Sequence, residues 1–291
     1  MDDAAIERLV DATIAALERG EPVGPVSLTF LLRCYGASDR ADIRQLLEPA
    51  LAQALDAQGL ARTVGERAAW LVLFSDALAL SADDRLYDTA ASLAKTLRSG
   101  WGRSFDIAPG AVSVDACLRA SRSVDLPALV PEAIDELERL AAAGYRPGEG
   151  LAHRGDPGAG AGGGLADHVA LSSALLTGYH LSGRLPYSML AEELMQFARR
   201  LLWDDSLGVF ADEKLDPAET FFLNCDAARV LCGLAALHAD ADYREAAVIR
   251  ADANYAADAA RILGAQEIYS RASSALGGAY GLALQEWLAL H

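Results

Sequence analysis

Three aspartates, Asp115, Asp167 and Asp226, lie in VSVDACL, LADHVAL and NCDAARV, where the pattern predicts that apolar helices open. Carboxylates placed at the starts of separate helices could converge on one pocket. Glycoside hydrolysis needs two such groups across the scissile bond, one protonated and one ionised. Sugar isomerisation can instead use histidine, whose imidazole titrates near neutral pH. We take Asp167 and Asp226 as candidate acid/base residues and His168 as a candidate proton carrier. Asn224, His153, Trp203 and Asp115 are the candidates for holding a substrate, with Asp106, Asp156, Asp212 and Glu213 on adjoining loops. A first-turn Asp also has a purely structural use: it caps exposed N–H groups and complements the helix dipole, worth roughly 0.5–2 kcal/mol.

Other chemistries lack their residues. The glycine run GDPGAGAGGG at 155–164 has no GK[ST] and no preceding strand, so it does not read as a phosphate loop, and no βαβ context supports a dinucleotide. It reads as a connection between two helical units. The acidic turn WDDSLG at 203–208 lacks the ligand spacing of a calcium loop. Cys34, Cys117, Cys225 and Cys232 form no CxxC and no zinc pattern, and are expected to be buried thiols. No metal or cofactor is expected.

Composition narrows the partners. There are 25 Lys and Arg against 41 Asp and Glu, a formal net charge of −16, which repels nucleic acid and anionic membranes. The opening MDDAAIERLVDATIAALERG is too acidic for a secretory signal, and no stretch of about 20 uninterrupted apolar residues occurs. A cytoplasmic protein acting on a sugar-like small molecule or a protein partner is the expectation.

The elements that must position these residues repeat one plan: an apolar helix, a short turn, then an amphipathic helix. Four such hairpins turn near Ser81, Ser123, Ser182 and Ala239. The first arm of each is apolar nearly all round; the second keeps a charged face, as in PEAIDELERLAAAG. Helix pairs repeated in this way predict an all-α fold, an α/α toroid with buried helices inside and amphipathic ones outside. Whether the ring closes is left open. The chain reads as a single domain over 1–291, with N-terminal helices that match the repeat poorly (1–65), the hairpins (66–263) and a closing helix (264–291). Acids at the starts of inner helices would then meet at one mouth. His180 and His238, late in their helices, would sit at the other end. Trp70, Trp101, Tyr145 and Phe210 join Trp203 as aromatics near helix ends, suited to core packing or to stacking on a sugar.

The stretches GEGLAHRGDPGAGAGGGLADHVALSSALLTGYHLSGRL, FARRLLWDDSLGVFAD and NCDAARVLCGLAALHADADYREAA resemble the helical domain of the YyaL-type proteins. That domain is a six-hairpin glycosidase-like toroid, which follows a thioredoxin-like domain. Asp167 matches the second acid of the family's acidic pair, Trp203, Asp204, Gly208 and Phe210 its Trp-Asp turn, and Asn224 the Asn opening its next inner helix. Here Ala166 replaces the first acid and His168 the following aromatic, and the redox CxxC does not occur. The resemblance implies a toroid related to carbohydrate-active enzymes, a glycoside hydrolase or sugar isomerase. The alternative is a non-catalytic binding or scaffold protein using the toroid surface.

Overall fold

The computed structural model describes residues 2–38, 40–57, 59, 61–81, 83–103, 106–155, 162–248 and 253–291; Asp156 and residues 157–161 of the glycine run lie outside them. In chain order the helices are α1 (Asp3–Glu18), α2 (Pro25–Ser38), α3 (Ala41–Ala57), α4 (Val64–Ala77), α5 (Asp84–Arg98), α6 (Ile107–Ala120), α7 (Leu129–Gly144), α8 (Leu165–Ser182), α9 (Leu185–Leu202), α10 (Pro217–Ala239), the short α11 (Ala241–Ala246), α12 (Tyr255–Gln266) and α13 (Ser274–Leu288). Six of them, α2, α4, α6, α8, α10 and α13, pack side by side in that order, and α13 returns to α2. The inner ring is therefore closed. Helices α1, α3, α5, α7, α9 and α12 form the outer layer.

Sequence patterning explains which layer each helix joins. In α5 the buried residues Leu86, Ala90, Leu93, Ala94 and Leu97 fall on one stripe, so one face packs inward and the charged face meets water. In α8 buried positions run round the helix, as an element packed on both sides requires. Two short antiparallel ribbons connect outer to inner helices. β1 (Tyr145–Arg146) pairs with β2 (Gly150–Leu151) before α8, and β3 (Trp203–Asp204) pairs with β4 (Val209–Phe210) before α10.

Two helix starts differ from the sequence expectation. Helix α10 begins at Pro217, where Asp216 and Glu219 form a capping box, and α6 begins at Ile107. Asp226 and Asp115 therefore lie well inside their helices rather than in first turns. The Asp-Pro-x-Glu start signal of α10 is local and legible, whereas Asn224, expected to open the helix, lies about two turns inside it. By length and composition α10 is also the one described helix apolar enough to cross a membrane. Here it is an inner strut of the ring, with Asp226 and Arg229 near its middle.

Ring closure depends on small residues at one seam. A Cβ on Gly278 would sit 2.6 Å from Ser27 Cα, and one on Gly281 would sit 2.5 Å from a carbon of the Phe30 ring. Only glycine lets α13 approach α2 this closely, and the Ser27 hydroxyl then donates to Ser274 O at 2.8 Å. Gly278→Ala should lower stability by about 1–3 kcal/mol through overpacking. Gly264→Ala, with open space around its Cβ, should instead gain up to about 1 kcal/mol. Urea unfolding of both variants checks the pair, and a neutral Gly278→Ala would mean that the seam is loose.

Candidate functional site

The toroid axis is charged. Each inner helix is largely apolar yet sends one or two polar side chains to the centre: Arg33 from α2, Asp76 from α4, Asp115 and Arg119 from α6, Ser173 and Thr177 from α8, Asp226 and Arg229 from α10, and Glu286 from α13. Glu286 Oε1 accepts from Arg33 Nη1 at 3.2 Å and from Arg229 Nε at 2.9 Å. Arg33 Nε stands 3.9 Å from Asp76 Oδ2, and Arg229 Nη1 donates to Asp226 Oδ1 at 3.4 Å. On the other side, Asp115 accepts from Arg119 Nε (3.0 Å), Ser173 Oγ (3.0 Å) and Thr177 Oγ1 (2.5 Å).

Asp226 keeps 54% of its side-chain surface accessible, and Asp76 36%. Both are nevertheless deep enough for burial to be the main influence on their ionisation. A side chain ringed by inner helices can be both deep and accessible only if the axis holds a recess. Arg119 acts electrostatically on Asp76, Asp226, Glu286 and Arg33 alike, which places all of these groups around one space.

The four carboxyls divide into two kinds. Burial raises Asp226, and Glu286 adds to the rise; the nearby arginines oppose it only in part. Burial also raises Asp76, against Arg33, Arg119 and Arg229. Burial acts upward on Asp115 too, but Arg119 and the two hydroxyls outweigh it and hold the group below the usual carboxylate range. Arg229 and Arg33 do the same for Glu286. In the ring order α4 faces α10 and α6 faces α13. The two carboxyls whose pKa is raised therefore lie on inner helices across the axis from each other, and so do the two whose pKa is lowered. Groups pushed apart in this way are the raw material of acid/base pairs.

The other sequence candidates lie at the inner-helix N-termini and serve to fasten the connections there. Asp167, 1% exposed, accepts from Gly164 N at 3.0 Å and His153 Nδ1 at 2.9 Å through Oδ2, and from Ala108 N at 3.2 Å through Oδ1. It caps α8 and ties it to the start of α6, so its oxygens are engaged and it does not open onto the axis. His168 is buried, with Nδ1 2.8 Å from Gly164 O, and burial lowers its pKa. That favours a neutral packing imidazole over a solvent-linked proton carrier. His153 is exposed beside Asp167. Asp212 accepts from Leu165 N at 3.1 Å, Asp106 binds Arg154, and Glu213 is exposed on the surface.

Asn224, fully buried, exchanges hydrogen bonds with Phe210 N and O (both 2.9 Å) and donates to Thr220 O (2.9 Å). It stitches β4 to α10. Trp203 packs edge-on against Phe210, with the guanidiniums of Arg199 and Arg261 each 5.2 Å from its ring. Trp70 stacks on Phe74, and the Trp101 indole donates to Ser113. The end of the glycine run is also structural: Gly163 N donates to Leu151 O at 2.8 Å, and a Cβ there would lie 2.6 Å from that oxygen. All four cysteines are buried free thiols. Among the described residues no cluster of His, Cys, Asp or Glu is arranged to hold a metal.

Sequence reading thus found two axial acids, Asp115 and Asp226, and missed Arg33, Asp76, Arg119, Arg229 and Glu286. Their signal was present: in TFLLRCYG, LVLFSDALAL and LALQEWLAL a lone charge interrupts an otherwise apolar helix. Such a charge needs either a partner or a recess.

A closed ring of six inner helices inside six outer ones defines an α/α toroid of the six-hairpin glycosidase-like kind. Solved structures agree on this fold. The unsaturated glucuronyl hydrolase of Bacillus sp. GL1 matches with a TM-score of 0.68 at 11% identity, over 91% of this chain and 84% of that one. An unsaturated glucuronyl hydrolase specific for heparin matches with a TM-score of 0.67 at 12% identity, over 99% and 98%. The GH76A alpha-1,6-mannanase from Salegentibacter sp. HEL1_6 matches with a TM-score of 0.64 at 11% identity, over 99% and 98%. No protein-family model and no curated protein sequence matches the chain.

Replacement of the carboxylates should separate the two regions. Asp167→Ala should cost about 1–2 kcal/mol as a lost cap. Asp115→Asn should cost about 3 kcal/mol, because it strips Arg119 of its ionic partner. Asp226 behaves oppositely. Its raised pKa means the fold is favoured while the group is protonated, and that contribution is lost as pH rises through the raised value. Asp226→Asn should therefore melt higher than wild type at pH 7, with the gap narrowing toward pH 3. Melting curves across pH test this, and a pH-independent gap would show that Asp226 is not held against ionisation.

Proposed function

We propose that this chain is a carbohydrate-active toroid, a glycoside hydrolase whose axial recess takes the sugar, with Asp226 as general acid and Asp76 as general base. The observation that carries this reading is the pair of accessible carboxyls with raised pKa on opposite inner helices, α4 and α10, set in unlike charge surroundings. Asp226 is the better acid because Glu286 shares Arg229 and adds like charge, which favours the protonated form. Asp76 is the better base because the charges acting on it are arginines, which favour the carboxylate. In this scheme Asp226 gives its proton to the leaving oxygen while Asp76 takes one from the attacking water. Asp115 and Glu286 hold the arginines in place, and Ser173 and Thr177 keep Asp115 fixed.

Asp167, the acid implied by the YyaL-type resemblance, is in this reading a cap for the mouth and not a reacting group. We read the chain as kin to that family's helical domain on the matching stretches around Asp167, Trp203 and Asn224. We also read residues 1–291 as one domain, because its ring takes helices from near both ends. Support from relatives is at the level of fold, although an inactive variant of the mannanase carries α-1,6-mannotriose.

A second reading, a non-catalytic scaffold, draws on the exposed apolar side chains Leu201, Leu207, Ile268 and Tyr269. The two readings part on a panel of oligosaccharides and aryl glycosides, scored by released reducing ends. Asp226→Asn and Asp76→Asn should each lower turnover by about 100-fold or more while the protein stays folded. Turnover should fall as pH rises through the pKa of Asp226 and again as pH falls through that of Asp76. A folded wild type inert across the panel would favour the scaffold.

A further inference from the structure

A chain of contacts runs from one carboxyl of raised pKa to the other. Asp76 Oδ2 stands 3.9 Å from Arg33 Nε, and Arg33 Nη1 donates to Glu286 Oε1 at 3.2 Å. The same oxygen accepts from Arg229 Nε at 2.9 Å, and Arg229 Nη1 donates to Asp226 Oδ1 at 3.4 Å. The chain is tight at Glu286 and slack at both ends, where the contacts are a long hydrogen bond and an ion pair without one. Each arginine thus divides itself between Glu286 and one aspartate, and Glu286 holds the larger share of both.

Charge balance gives the chain a preferred state. While both aspartates are neutral, two guanidiniums face a single carboxylate, and a positive charge is left over. Ionisation of one aspartate cancels it. Ionisation of the second leaves excess negative charge in a desolvated place, which is disfavoured. The other charges nearby stand outside the chain. Arg119 acts on Asp76, Asp226 and Glu286, Arg122 on Asp76, and Asp115 on Arg229. Arg119 donates to Asp115 and Ser173 instead, and among the described residues neither Arg119, Arg122 nor Asp115 is hydrogen-bonded to a member of the chain. The thiols of Cys225 and Cys232, also on α10, are pushed up by burial and stay neutral.

We propose that Glu286 is a positioning residue that couples Asp76 to Asp226, so that ionisation of either one holds the proton on the other. When Asp76 ionises, Arg33 turns toward it and away from Glu286. Glu286 then keeps Arg229 to itself, and Asp226 loses the cation that would favour its carboxylate. The same sequence runs from Asp226 to Asp76. The result is one acid and one base across the axis, the condition that hydrolysis in the recess requires. The use of this coupling rests on the hydrolase reading; its measurement does not.

The test is carbon-13 NMR titration of the aspartate carboxyls in the whole chain, with the two signals assigned from Asp76→Asn and Asp226→Asn. In the wild type, the aspartate that ionises second should titrate about 1 pH unit higher than it does when the other is Asn. Glu286→Gln should remove most of that rise, because the arginines no longer compete for one oxygen. Arg33→Lys is a milder second route: it keeps the charge beside Asp76 but lacks the fork that spans both carboxyls, so it too should remove most of the rise. Direct repulsion between the aspartates predicts instead a rise of full size in both backgrounds, and that result would overturn the proposal. So would a wild type that shows no rise. Turnover takes no part in the readout. Coupled aspartates in an inert chain would sink the hydrolase reading alone, and uncoupled ones in a chain whose turnover needs both would sink this proposal alone.

Discussion

The seam between α13 and α2 is the constraint on which the rest of the molecule depends. Six inner helices enclose an axis only if the last packs against the first, and Gly278 and Gly281 allow that approach. The same contact brings Glu286, near the end of the chain, within 3.2 Å of Arg33, near its beginning. An open solenoid of the same hairpins would leave both side chains in water, where an ion pair contributes little. Closure turns them into part of an enclosed charged network.

That network shows how one ring can shift the pKa values of similar carboxyls in opposite directions. Desolvation pushes all four acids toward the neutral form. Where a guanidinium or hydroxyls engage the oxygens closely, as at Asp115 and Glu286, the charged form wins. Where the arginine is shared or distant, as at Asp226 and Asp76, desolvation wins. The three arginines are thus divided unequally, and the inequality follows from helix positions more than from residue type. Apolar side chains filling the axis would give a simpler and often more stable core. This chain instead keeps a polar recess.

The mouth shows the opposite use of polar residues. Asp167, Asp212 and Asn224 have their hydrogen-bonding capacity engaged by backbone groups of neighbouring segments, and Trp203 has its ring covered by Phe210 and two arginines. These residues position the two β-ribbons and the starts of α6, α8 and α10. The features that made the sequence resemble a family are therefore largely those that build the connections, which explains why fold could be recognised more readily than chemistry.

The sequence by itself determined the helical hairpins, the inner and outer layers and the buried thiols, because apolar periodicity and capping residues act over a few turns of chain. It also marked the axial charges as misfits in apolar helices, without saying where they would meet. Tertiary structure alone decided that the ring closes, that Asp76 and Asp226 face each other, and that Asp167 is a cap. The reason is physical: a carboxylate's role depends on which donors surround it and how much water reaches it. At the axis those donors come from helices as far apart in sequence as Arg33 and Glu286, and only the closed ring brings them together.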